Sequence, residues 1–144
     1  MQSRQARAVA QRVHVHDHER DGSPLLLHIA RVARTAPAEA RPVAWLHEAL
    51  ERGAVSEQEL LMAGLSDDEL RALRLVSHLP LVGADAPYLG HVDLIARAAG
   101  YGGHLARLVK IADLRDRCRH PHVRPDGWLP PYERALARLL DAAY

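Results

Sequence analysis

Apolar residues recur every three or four positions nearly everywhere along this chain, and no stretch alternates apolar with polar residues as a half-buried strand does. That periodicity predicts a compact, all-α, multi-helix bundle. A first helix is expected from about Ser3 to His16, with Ala6, Val9, Ala10 and Val13 as its buried stripe. The polar run Asp17 to Ser23 contains Asp21-Gly22, a turn signal. Ser23-Pro24 reads as the cap and first residue of a helix reaching about Thr35. A third helix is expected from about Ala38 to Arg52, stopped by Gly53. Ser56-Glu57-Gln58-Glu59 has capping-box spacing and opens a short helix to Ala63. Ser66-Asp67-Asp68-Glu69 repeats that pattern before a helix ending near Leu79-Pro80. Further helices are expected over Pro87 to Ala99, over His104 to Cys118 after Gly102-Gly103, and over Pro131 to Ala142; the proline-rich run His120 to Pro131 reads as a loop.

Composition narrows the picture. A chain of 144 residues is expected to form one domain with a real core. Its 19 basic side chains nearly balance 18 acidic ones, which gives no case for a nucleic-acid or membrane surface. Arginine supplies almost all the positive charge, Lys110 being the only lysine. Cys118 is alone, which excludes an intramolecular disulfide and fits a reducing compartment. No leader-like apolar segment opens the chain, and no apolar run approaches the ~20 residues of a membrane span. The expectation is a soluble, cytoplasmic protein; a homo-oligomer stays open.

The chemistry concentrates on Trp45-Leu46-His47-Glu48 and on Glu51, one turn further. On a helix His47 and Glu51 share a face. His28 follows Leu25-Leu26-Leu27, and Asp113 follows Leu108-Val109-Lys110-Ile111-Ala112, so both fall in apolar surroundings. Buried ionisable groups are costly unless paired or metal-bound, so His28, His47, Glu48 and Asp113 converging in one core favour a shared ion. Two histidines and two carboxylates suit one divalent cation such as Mn²⁺, Fe²⁺, Co²⁺ or Zn²⁺. Such an ion acidifies bound water and polarises a phosphoryl oxygen, and Glu51 is placed to orient or deprotonate that water.

Three ordered motifs resemble those of the HD-domain metal-dependent phosphohydrolases, whose signature is His…His-Asp…Asp. The segments are His14-Val15-His16-Asp17-His18-Glu19-Arg20 with Gly22-Ser23-Pro24-Leu25-Leu26-Leu27-His28, then Trp45 to Arg52, then Val109-Lys110-Ile111-Ala112-Asp113-Leu114-Arg115-Asp116-Arg117. Within that family the chain looks most like the alarmone hydrolases, which remove the 3′-pyrophosphate of guanosine tetra- and pentaphosphate, usually with Mn²⁺. Pro125-Asp126-Gly127-Trp128 and Tyr132 are also similar to the family's ending. The resemblance covers nearly the whole chain and implies an HD-domain bundle with a nucleotide substrate. It makes His28, His47, Glu48 and Asp113 metal ligands, Glu51 the group that handles water, and Arg20 and Lys110 phosphate or nucleotide contacts.

Four positions depart from the family pattern. Glu48 stands where the family has Asp, Arg52 replaces the acid paired with the catalytic Glu, Arg117 replaces an asparagine, and Leu25 replaces an aromatic residue. Arg52 thereby enters the catalytic pair and Arg117 the substrate wall. The arginines could clamp a phosphate, or pair with Glu48 and Asp113 in place of a metal. The second reading implies a non-catalytic HD domain that binds a nucleotide or a partner protein. Elsewhere the ordinary readings stand: His14 supports the site, His16 and His18 lie in a solvated loop, His120 and His122 are surface residues, and Cys118 is a small core residue. His78, His91 and His104 fall in no interpretable pattern.

Overall fold

A computed structural model describes residues 1–77, 83–121 and 126–143. The described residues form helices α1 (Ser3–Val13), α2 (Leu25–Thr35), α3 (Arg41–Leu46), α4 (Glu57–Met62), α5 (Asp67–Val76), α6 (Asp85–Arg97), α7 (Gly100–Arg119) and α8 (Tyr132–Ala143), with a 3-10 turn at Ala38–Ala40. No strand occurs among them beyond an isolated bridge between His18 and Pro24. This is the all-α bundle that the periodicity predicts. No described helix is long and apolar enough to cross a membrane.

The bundle is organised around α7, which packs against α2, α3, α5, α6 and α8. Leu105, Ala106, Val109 and Leu114 of α7 are fully buried with Ile29 and Val32 of α2, Leu46 of α3, Leu73 of α5, Ile95 of α6 and Leu139 of α8. Local signals start the helices as expected in two places. Ser66 and Glu69 exchange reciprocal capping bonds at the start of α5, and Ser56 accepts from the Glu59 amide at α4.

The boundaries differ in three informative places. α1 stops at Val13, and His14 to His16 form turns. α7 begins at Gly100 rather than His104, so Gly102 and Gly103 lie inside it. A side chain on Gly103 would overlap the Ala98 carbonyl oxygen, and one on Gly102 would meet the Asp68 carbonyl oxygen at 3.0 Å and Arg71 at 3.1 Å. The glycine pair therefore serves close packing of α7 against α5 and the end of α6, where a sequence reading takes it for a break.

The third difference bears on the site. The α-helical ladder of α3 ends at Leu46, and residues 47–53 continue as hydrogen-bonded turns, closing at Gly53 with φ +69°. There the Ala44 carbonyl, which a continued helix would offer to the Glu48 amide, instead accepts from His47 twice, from Nδ1 at 2.6 Å and from the amide at 3.5 Å. Ala49 then bonds back to Leu46 at 3.0 Å, and Arg52 to Glu48 at 3.0 Å. α5 ends at Val76, with Ser77 extended, short of the expected stop near Leu79-Pro80; residues 78–82, and residues 122–125 of the expected loop, lie outside the described residues.

Candidate metal centre

α2 buries Leu25, Ile29, Val32 and Ala33 against the bundle, and the same packed face carries His28, which is 1% exposed. Its Nδ1 donates to Asp116 Oδ2 at 2.6 Å, which directs Nε2 to within 3.0 Å of Asp113 Oδ1. His47 is oriented in the same sense, because its Nδ1 proton goes to the Ala44 carbonyl. Its Nε2 then lies 3.7 Å from the same Asp113 oxygen. The two rings meet nearly edge to face, with centroids 5.4 Å apart.

Ligand atoms of His28, His47 and Asp113 all fall within 4.8 Å of one another, and all three residues are buried. Both Nε2 atoms are buried without a hydrogen-bond partner among the described residues. With each Nδ1 proton spent on its own acceptor, each neutral ring turns an Nε2 lone pair toward a carboxylate oxygen. Electron pairs gathered in this way repel one another unless a proton or a metal cation lies between them. The group could hold a metal ion, and its nitrogen and oxygen donors suit a divalent one.

Lys110 completes the electrostatics of Asp113. Its ammonium donates to Asp113 Oδ2 at 2.7 Å, leaving Oδ1 to the histidines. Burial alone would raise the Asp113 carboxyl, but the Lys110 ammonium and the two imidazoles hold it well below the usual range. The same carboxylate, with its neighbours, outweighs burial at His47 and raises that imidazole. Lys110 is itself raised against its own burial, chiefly by Asp113, and its ammonium lies 5.9 Å from the centre of the Tyr88 ring.

Glu48 is near the group but not in it. Its Oε1 is 3.7 Å from His47 Nε2, whereas its Oε2 accepts from Arg52 Nε at 3.3 Å. Arg117 Nη2 stands 3.9 Å from Glu48 Oε1, and Arg117 Nη1 lies 3.1 Å from Glu19 Oε1. Arg52 and Arg117 thus meet Glu48 and Glu19. Asp113 takes Lys110, three residues before it, rather than Arg117 as its ion partner.

Above the group opens a cavity of about 330 Å³, lined by His47, Glu48 and Asp113 together with Glu51, Arg52, Arg20, Lys110 and Arg117. Every sequence-predicted site residue except His28 reaches this wall, and His28 lies behind Asp113. Glu51 is half-buried there. Its carboxyl is raised, first by burial and then by the neighbouring Glu48, with Lys110 opposing. Tyr88 and Tyr132 close the apolar side; burial pushes the Tyr132 phenol up to about 12.

Sequence reasoning does not single out Asp116, Arg31 or Tyr88. A signal for the first two exists. His28 and Arg31, like Asp113 and Asp116, are i, i+3 pairs on the facing helices α2 and α7, the spacing that puts two side chains on one helix face. Among the other histidines, His14 is buried and bonds Asp17 Oδ2 at 2.8 Å, while His16, His18 and His120 are exposed. His91 bonds the Leu75 carbonyl at 2.9 Å, and His104 sits exposed 3.7 Å from Glu39. His78 and His122 lie outside the described residues. Cys118 is half-buried, with its thiol raised by burial, which does not favour a nucleophile. The sequence matches no protein-family model and no curated protein.

Proposed function

We propose that this chain is a metal-dependent phosphohydrolase of the HD type, cleaving a phosphoester or pyrophosphate bond of a nucleotide. The observation that carries the reading is the convergence of His28 and His47 Nε2 on Asp113 Oδ1 at the floor of a cavity walled by Arg20, Arg52, Lys110 and Arg117. A bound divalent cation, with Mn²⁺ first and Fe²⁺, Co²⁺ or Zn²⁺ as alternatives, supplies Lewis acidity and a more acidic water. Glu51 would take the proton of the attacking water. Its raised pKa brings it closer to neutral pH, where a general base works best. The arginines and Lys110 hold the phosphoryl oxygens and offset the charge that develops on them.

The three ordered motifs support an alarmone-like substrate, the 3′-pyrophosphate of guanosine tetraphosphate. One observation favours a second reading: Arg52 holds Glu48 by a direct hydrogen bond, and a domain whose carboxylate is so engaged could bind a nucleotide or a partner protein without turnover. A screen separates the two. Guanosine tetraphosphate and a panel of nucleoside phosphates are incubated with protein and Mn²⁺, beside a Glu51→Gln control. Turnover by the wild type alone supports hydrolysis, and its absence across the panel supports the binding domain.

The pH profile adds a check on Glu51. A base must be deprotonated to act, so the rate should climb with pH along a limb that Glu51→Gln removes. A limb that survives Glu51→Gln would place the working base elsewhere.

A further inference from the structure

We infer that Asp116, held by Arg31, is the positioning residue that fixes His28 as the Nδ1–H form and so presents its Nε2 to the ligand group. This inference deepens the metal-site reading and concerns residues that the family pattern does not single out. Arg31 donates to Asp116 twice, from Nε to Oδ1 at 2.7 Å and from Nη2 to Oδ2 at 3.1 Å. A guanidinium is always charged and has no acceptor, so it keeps Asp116 an ionised carboxylate that can only accept. His28 Nδ1, 2.6 Å from Oδ2, must therefore be the donor.

The geometry singles out His28 over His47. His47 is aimed by a backbone carbonyl within its own turn, an acceptor that folding of α3 provides. His28 is aimed by a side chain 88 residues away on α7, the helix that also carries Asp113. Asp116 holds Nδ1 of His28 at 2.6 Å, and Nε2 on the opposite side of the ring then stands 3.0 Å from Asp113 Oδ1 without a hydrogen bond. Asp116 is 8% exposed and Arg31 half-buried, so water competes little for these bonds. A carboxylate behind a ligating imidazole fixes its tautomer and raises its donor strength.

The test is Asp116→Asn, with Arg31→Ala as a companion that leaves the carboxylate in place. Nuclear magnetic resonance of ¹⁵N-labelled imidazoles in metal-free protein reads which ring nitrogen of His28 carries a proton. Calorimetric titration with Mn²⁺ and Zn²⁺ reads affinity. The wild type should show a protonated Nδ1, and Asp116→Asn should shift that resonance and weaken metal binding about 10- to 100-fold. Arg31→Ala should do the same to a smaller degree. Wild-type Nδ1 without a proton, or an Asp116→Asn protein with unchanged resonance and affinity, overturns the inference. Failure of the metal reading looks different: the wild type binds neither cation while the Nδ1 proton still responds to Asp116→Asn.

Discussion

Asp113→Asn should abolish metal binding and cost about 3 to 5 kcal/mol of folding stability, the loss expected when one partner of a buried ion pair is removed. The size follows from Lys110. That ammonium is 7% exposed and donates to Asp113 Oδ2 at 2.7 Å, so an amide would leave a buried positive charge without its counter-charge. Oδ1 would lose its charge at the same time, and with it the oxygen on which both imidazoles converge. His47→Gln separates the two effects, because it keeps the Lys110–Asp113 pair and removes one nitrogen ligand. It should lose the metal with much less loss of stability. Denaturant unfolding and calorimetric titration of both variants read the result. An Asp113→Asn protein within the roughly 0.5 kcal/mol typical of surface changes would contradict the account of the pair.

Glu51→Gln should reduce hydrolysis by about 10²- to 10⁴-fold while leaving metal affinity unchanged. Glu51 lines the cavity but lies outside the group whose ligand atoms converge. Glutamine keeps the size of the side chain and removes only the group that accepts a proton. Stability should hold or rise slightly, since burial already disfavours the ionised form. If metal affinity fell along with the rate, Glu51 would be a ligand rather than the base. An unchanged rate would assign the proton to another group.

Much of the fold is legible in the sequence because the signals are local. Capping residues at Ser56 and Ser66 start their helices through contacts within one turn. The boundaries that resist reading are those that tertiary contact sets. Gly102 and Gly103 resemble a break and instead permit close packing of α7. The α3 ladder ends where His47, by side chain and amide, takes the Ala44 carbonyl, which helical periodicity does not register. The Trp45 to Glu51 stretch therefore keeps its place at the site while losing the regular helix from which its i, i+4 geometry is read.

The site follows the same division. His28, His47 and Asp113 stand out in sequence as ionisable residues in apolar runs, and the fold brings all three together. Glu48 reads as a fourth ligand, yet its carboxylate faces Arg52, four residues on, and Arg117, whose approach depends on how α7 meets the turn after α3. Asp116 and Arg31 escape notice because their i, i+3 spacing from Asp113 and His28 gains meaning only once α2 and α7 face each other across the bundle.

The most direct test of the central claim is elemental analysis of protein purified without chelator and then equilibrated with Mn²⁺ or Zn²⁺, compared with His47→Gln. The account predicts close to one equivalent of divalent metal in the wild type and essentially none in the variant, with both proteins folded. A folded wild type that retains no metal, or a variant that retains as much, would contradict it.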